Sequence, residues 1–403
     1  MIRQLLDLKS LLQIIDISEQ AFCNLLISGV IPYYKVGGQN KYDPSEVAHA
    51  LRTVNHANVE RFNCGKVYRA IDLFAGVGGI RLGFEQAFQE QIEFVYSNDN
   101  NKFAGVTYRE NFGDIDIADI NEVIKDMSRI PEHDILVGGF PCQPFSIAGE
   151  QLGFEDKTRG TLFYAIAKII SAKRPTAFLL ENVKHFQHHN KGRTWKTVKE
   201  VLQNELGYKT YDIILNAKYF GVPQNRPRFY CVGFRDRDAI FEWPKEDGPI
   251  VKLRDFLEHD VDERYYVGQQ YFNSLKKHRA KHEALGHGFG YRILDPKGIA
   301  GTIVVGGMGL ERNLIQNSPL PNCWKPGDDP LKKKNCEGVR VLTPRECARL
   351  QGFPDSFKIP VSETQAYKQF ANSVAVPVIR AIAQNMLLTL QGKGNQKAIS
   401  AFT

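Results

Sequence analysis

The spacing of apolar residues changes character at residue 69. From there on, short apolar runs bounded by glycine, proline or acids alternate with segments whose apolar positions recur at helical spacing. The runs at 70–74, 94–98, 135–140, 177–180 and 229–234 read as strands. Strands alternating with helices predict an α/β domain built on a doubly wound, mostly parallel sheet. The rhythm fails between 239 and 338, where charge, Gly, Pro and Asn become frequent. It returns at Thr343-Pro344-Arg345-Glu346, a capping box with proline at the first helical position, and a closing apolar helix follows Pro377. The expected division is therefore a main α/β part at 69–238, an irregular inserted domain at 239–338, and a C-terminal part at 339–403 that rejoins the first.

Residues 1–52 read as a separate module. Leu11, Leu12, Ile14 and Ile15 precede Ser18, a good N-cap, and Ala21, Phe22, Leu25 and Leu26 follow at helical spacing, which predicts two short helices. The stretch 33–42 carries Gly37-Gly38 at its centre and suits a hairpin, and Asp43-Pro44-Ser45-Glu46 opens another helix. This order resembles the winged helix-turn-helix of excisionase-like DNA-binding modules; a small helical packing extension is the alternative. Residues 53–68 are polar and read as a linker.

Composition narrows the class without naming a partner. At 403 residues the chain is long enough to bury a large core. Its net charge of +7 mildly favours an anionic partner. Seven cysteines, at 23, 64, 142, 231, 323, 336 and 347, include no CxxC, so neither a disulfide framework nor a cysteine zinc site is indicated. No signal peptide and no long apolar run stand out, which predicts a soluble, cytoplasmic protein without a membrane partner.

Candidate chemistry gathers at predicted strand ends, where open α/β sheets hold ligands. The turn from Asp72 to Ile80 contains Phe74, Gly76, Gly78 and Gly79, and Asp99 ends the next strand, placed to take ribose hydroxyls. Alone, this pattern fits a dinucleotide site, an adenosylmethionine site or a tight turn. Asp119, followed by Ile120, ends a further short segment and is a candidate adenine acceptor. Cys142 follows the apolar run 134–139 at a bend, Gly-Gly-Phe-Pro-Cys-Gln-Pro-Phe-Ser, and is the candidate nucleophile. The remaining cysteines lack such company and read as structural. His278 and His282 have helical metal-ligand spacing but no third ligand nearby, so no metal is expected.

Phe140-Pro-Cys-Gln143, Glu181-Asn-Val183, Gln224-Asn-Arg-Pro-Arg228, Thr343-Pro-Arg-Glu-Cys-Ala-Arg349 and Gln369-Phe-Ala-Asn-Ser-Val374 occur in that order after the glycine turn. Together they resemble the motif set of the DNA (cytosine-5) methyltransferases, with matching segments from 69 to about 390. The resemblance implies an adenosylmethionine-dependent methyltransferase fold and methyl transfer to C5 of a cytosine flipped out of duplex DNA. It implies a catalytic group of Cys142, Glu181, Arg226 and Arg228. Cys142 would add to C6, Glu181 would bond N3 and the exocyclic amine, and Arg228 the O2 side.

S-adenosyl-L-methionine would lie against Phe74, Gly76, Gly78, Gly79, Asp99, Asp119, Ile120, Pro141, Asn372, Ser373 and Val374. DNA would meet Gln143, Ser146 and Arg159 of the loop after Cys142. Residues 239–338 would form the variable target-recognition region, with Thr302 and Arg312 as DNA contacts. The loop departs from some relatives at Ala148 and Glu150, and Asn100 stands where some carry an aromatic residue. The resemblance also implies a restriction–modification system with a cognate endonuclease as functional partner, and a monomer, or a dimer through the N-terminal module. A tRNA cytosine-5 methyltransferase and a DNA-binding transcription regulator are the rival readings.

Overall fold

The computed structural model describes residues 6–7, 10–11, 34–36, 39–47, 66–141, 162–288, 290–304 and 309–392. The chain divides into two compact units, Met1–Val67 and Tyr68–Thr403. In the first, β1 (Tyr34–Val36) pairs antiparallel with β2 (Gln39–Lys41), the hairpin expected around the two glycines. Asp43 Oδ1 then accepts from the backbone N–H of Ser45 and Glu46, capping a helical turn at 44–47. The two helices expected between residues 11 and 26, and nearly all of the linker, lie outside the described residues.

The second unit is built on a seven-stranded sheet. Its strands are β3 (Tyr68–Leu73), β4 (Ile92–Asp99), β5 (Asp116–Ile117), β6 (Ile135–Gly139), β7 (Ala177–Val183), β8 (Lys209–Asn216) and β9 (Pro227–Phe234), in the order β5-β4-β3-β6-β7-β9-β8. All pairings from β5 to β7 are parallel, and β9 runs antiparallel to both β7 and β8. The sequence pattern located 229–234 but not its direction. It also missed β8, whose residues are mostly half-buried and show no alternation. β8 and β9 are joined by only ten residues with no crossover helix, so the pair closes antiparallel.

Alternate side chains of the central strands enter two cores, one on each sheet face. Ile71, Leu73, Leu136, Phe178 and Leu180 pack with α4 (Leu162–Lys173) and α5 (Arg193–Glu200). Ala70, Ile135, Val137 and Leu179 pack with α1 (Gly79–Phe88) and α9 (Val376–Leu390). Among the described residues before the insert, the sheet also carries α2 (Lys102–Phe112) and the short α3 (Ile120–Val123). A Cβ on Gly83 of α1 would fall 2.6 Å from Ile379 of α9, so the bare glycine permits the close crossing that docks the C-terminal helix.

The stretch Glu363–Leu390 contains a window apolar enough to pass for a membrane span. It is nevertheless α8 (Glu363–Asn372) and α9 separated at residues 373–375, and Val376, Val378, Ile379, Ile382 and Met386 lie in the protein core.

Between 240 and 338, α6 (Gln269–Ala284) and β10 (Ile315–Gln316) are set in turns, and β10 pairs with β11 (Val339–Arg340) at the start of the C-terminal part. Val267, Phe272, Leu275, Leu314 and Val339 form a small core there. β11 leads into α7 (Pro344–Leu350), where the predicted capping box is present: Thr343 Oγ1 accepts from the Glu346 N–H, and the Glu346 carboxylate accepts from the Thr343 N–H.

Candidate active site

Strand order reverses between β3 and β6, and the carboxyl ends of strands flanking such a switch leave a crevice. A cavity of about 540 Å³ opens there. Its lining takes Phe74, Gly76 and Gly79 from the turn after β3 and Asp99 from the end of β4. Asp119 and Ile120, Pro141, Glu181, Arg226 and Arg228, and Asn372 to Val374 complete the predicted set within it. Gly78 does not line the cavity; a Cβ there would strike the Phe112 ring at 2.3 Å, so its role is packing. Gly79 is also tight, its would-be Cβ 2.7 Å from Ser373 Oγ. Gly76, with φ of 56°, has nothing within 4 Å of its would-be Cβ and presents bare backbone to the opening. Phe74, at φ 55°, holds a left-handed conformation unusual for an aromatic, a local strain at the turn that shapes the cavity wall.

The turn fixes the acid that follows β4. The Gly76 N–H donates to Asp99 Oδ2 at 2.8 Å and the Asn101 N–H to Oδ1 at 2.7 Å. Burial nevertheless lifts the Asp99 carboxyl above its ordinary value against the pull of those two donors. Asp119 caps α3 by accepting from the Asn121 N–H and side-chain amide through Oδ1. Gln369 binds α8 to α2, accepting from Thr107 Oγ1 and donating to Phe103 O.

The cofactor expected from sequence fits this half of the cavity. A positioned carboxylate, bare backbone at Gly76 and apolar walls at Phe74, Ile120 and Val374 suit a nucleoside, and the volume lies within the roughly 300–1,000 Å³ of small-molecule sites.

The other half is electrostatic. Gly139 of β6 pairs in register with Glu181 of β7, and Arg228 is carried on the neighbouring antiparallel strand β9. Arg228 Nε lies 3.3 Å from Glu181 Oε1, with both side chains mostly buried. Burial pushes the Glu181 carboxyl up, and the two arginines only partly offset this. A buried glutamic acid beside a cation can hold or share a proton and donate a hydrogen bond to a ring nitrogen. Asn182, also in the cavity lining, donates to Phe140 O at 2.8 Å and steadies the chain just ahead of Pro141.

Arg226 differs from its neighbour. It is 2% exposed, and its guanidinium donates to the carbonyls of Ile303, Ala371 and Ser373. Burial first, then the charge of Arg228, bring it down to about 9.

Cys142, Gln143, Ser146 and Arg159 lie outside the described residues. Thr302 donates through Oγ1 to Asn225 O at 2.7 Å, and Arg312 is exposed on a 3-10 turn at Leu310–Asn313; neither lines the cavity. Cys231 and Cys347 are buried, with their thiols pushed up by desolvation, which suits the structural role expected of them. Among the described residues no cluster of three His, Cys, Asp or Glu side chains could hold a metal.

Sequence reasoning passed over the residues that brace the site. Buried Gln224 accepts from Ile303 N and donates to Leu350 O. Asn313 accepts from Gly301 N and donates to Thr302 O. Gln224 stands inside the Gln224–Arg228 motif and Asn313 closes the glycine-rich stretch 306–313, which were the available signals.

Comparison with known proteins agrees with this geometry. The family described as C-5 cytosine-specific DNA methylase matches residues 68–388. The chain is 48% identical over 330 residues to the type II methyltransferase M.HpaII of Haemophilus parainfluenzae, covering 81% of this chain and 90% of that protein. It is 45% identical over 332 residues to the type II methyltransferase M.NlaX of Neisseria lactamica, covering 82% and 100%. Among solved structures, the S. pombe Dnmt2 methyltransferase shares the fold, with a TM-score of 0.61 at 23% identity over 80% of this chain and 99% of that one. The chain belongs to the C-5 cytosine-specific DNA methylase family, and it is a DNA methyltransferase that draws its methyl group from S-adenosylmethionine.

Proposed function

We propose that this enzyme is the modification methyltransferase of a type II restriction–modification system, acting in the cytoplasm on the site that a cognate endonuclease cleaves. Relatives 45–48% identical over four fifths of the chain carry type II names, which supports the reading. The single observation that carries the chemistry is the buried Glu181 carboxyl, raised by desolvation and held 3.3 Å from Arg228 in the cavity.

In this reading Cys142, the residue after cavity-lining Pro141, adds as thiolate to C6 of a flipped cytosine. Cytosine C5 is otherwise too poor a nucleophile for alkylation. Protonated Glu181 donates to N3 while Arg228 meets O2, so the electron density arriving from sulfur is stabilised in the ring and is available at C5. Asp99 takes the ribose, Asp119 the adenine amine, and Phe74, Ile120 and Val374 the apolar faces of S-adenosylmethionine. That molecule, when bound, would supply an electrophilic sulfonium methyl group, its S–CH3 bond pair staying on sulfur so that neutral S-adenosylhomocysteine is the leaving group. After methylation the C5 proton leaves, the electrons of that bond re-form the ring double bond, and the Cys142–C6 bond breaks to release thiolate.

Gln143, Ser146 and Arg159, with Thr302 and Arg312 of the recognition region, contact DNA. Residues 1–52 form a winged helix-turn-helix that extends the DNA footprint or represses the operon; the β1–β2 hairpin and the capped turn at 44–47 support it. Deleting 1–52 then weakens DNA binding or raises promoter output, and no change in either refutes this role.

Duplex DNA with 5-fluorocytosine at the target tests the mechanism, because fluorine at C5 does not leave as a proton does. The wild type forms a covalent complex in the presence of S-adenosylmethionine, and Cys142→Ser forms none. A wild type that methylates ordinary DNA without trapping this analogue refutes the covalent route. Bisulfite sequencing of DNA from an expressing host identifies the site, and random or absent methylation refutes a restriction–modification role.

A further inference from the structure

Arg226 stands in the cavity wall, and among the described residues its side-chain hydrogen bonds all go to backbone carbonyls far along the chain, whereas Arg228 donates to the carbonyl of adjacent Pro227 and faces Glu181. Nη1 donates to Ile303 O at 3.2 Å, and Nη2 to Ala371 O at 2.7 Å and Ser373 O at 2.5 Å. These acceptors are 77, 145 and 147 residues away along the chain. Ile303 belongs to the 239–338 region, whereas Ala371 and Ser373 form part of the cavity lining beside Asn372 and Val374. Ile303 is held from both sides, since its N–H donates to Gln224 Oε1 at 3.1 Å. Arg226 itself is anchored at the backbone, its N–H donating to Asn216 Oδ1 at 3.0 Å and its carbonyl accepting from Ala217 N.

A guanidinium is planar, and its five donors keep a fixed mutual geometry. When it serves carbonyls from two segments at once, displacement of one segment tilts the plane and pulls on the other. Ile303 and Ala371 are buried at the contact and Ser373 is half-buried, so water does not replace a lost partner cheaply.

We propose that Arg226 is a positioning residue that links the recognition segment at Ile303 to the Ala371–Val374 wall of the cofactor cavity, so that target DNA and cofactor bind cooperatively through it. The inference rests on the reading that the 239–338 region contacts DNA. Thermodynamic linkage makes the effect reciprocal: whatever factor DNA applies to cofactor affinity, the cofactor applies to DNA affinity.

The test measures the affinity of S-adenosylhomocysteine, which mimics the bound cofactor without reacting, with and without a duplex containing the methylated site. Titration calorimetry on the full-length wild type, Arg226→Lys and Arg226→Met supplies the ratio. In the wild type the duplex tightens binding by about 5–150-fold, the usual range of such couplings. Met keeps the alkyl volume but no donor, so the ratio falls to about one, and affinity without DNA weakens about tenfold. Lys keeps the charge but not the fork and gives an intermediate ratio. A purely structural role would lower the unfolding temperature and leave the ratio unchanged, so an unchanged ratio in folded variants overturns the proposal. If the Met variant fails to fold, the Lys variant decides by the same criterion. A wild-type ratio of one also overturns it. A wild type that transfers no methyl group to DNA refutes the functional reading instead, and the two failures are thereby distinguished.

Discussion

Gly139→Ala isolates the placement of Glu181 from its chemistry. A Cβ at residue 139 would stand 3.1 Å from Glu181 Oε2, inside ordinary contact distance, with Ile80 the next neighbour at 3.8 Å. The carboxyl has to give by a few tenths of an ångström, away from β6. Arg228 Nε, at 3.3 Å from the other oxygen, must adjust with it. Misplacement of about 1 Å costs about 10²-fold in rate, so a shift of about 0.3–0.5 Å costs about 4–10-fold in kcat.

Stability should hardly change, because alanine removes unfolded-chain entropy worth about 0.4–1 kcal/mol, which offsets a comparable local strain. Methyl transfer to a duplex from tritiated S-adenosylmethionine gives the rate, and thermal unfolding gives the control. An unchanged kcat in a normally folded variant refutes the claim that Gly139 sets the position of Glu181. A large loss of stability would show that the strand cannot accept a methyl group at all, and would refute the offset.

Glu181→Ala removes the stabilising donor and should lower kcat by about 10²–10³-fold with little effect on cofactor affinity; single-turnover methylation and S-adenosylhomocysteine titration check the two halves. Asp72 is fully buried, with neither carboxylate oxygen hydrogen-bonded among the described residues, and burial raises its carboxyl well above the usual range against the opposing charge of Arg81. The folded state therefore holds this proton to higher pH than the unfolded chain, so its stability is full below the ordinary carboxylate range and declines as pH rises through the raised value. Urea midpoints from pH 4 to 9 should fall less steeply for Asp72→Asn; parallel profiles contradict this. Arg340 and Glu346 form a fully buried two-bond ion pair between β11 and α7. Removing either partner alone should cost about 3–5 kcal/mol, and Arg340→Met with Glu346→Leu less than the worse single change; denaturant unfolding of the three variants decides it.

The local pattern of the sequence determined the strands at 68–73, 92–99, 135–139 and 177–183 to within a few residues, because strands covered on both faces leave short, nearly continuous apolar runs between helical segments. It also determined the capping box at Thr343, a matter of side chains three residues apart. The candidate cavity was legible for a related reason: glycines, an acid at a strand end and a glutamate at another strand end are chemically demanded at sheet edges, so their identities report their setting. Direction and depth were not legible. β9 runs antiparallel because a short β8–β9 connection leaves no room for a crossover, and no single strand records its neighbour's sense. The same ambiguity separated the two motif arginines. Arg226 and Arg228 sit two residues apart, and only tertiary packing made one face Glu181 and the other bind carbonyls brought from Ile303, Ala371 and Ser373. Local chemistry is written in residue types, while partners tens of residues away exist only once the chain has closed on itself.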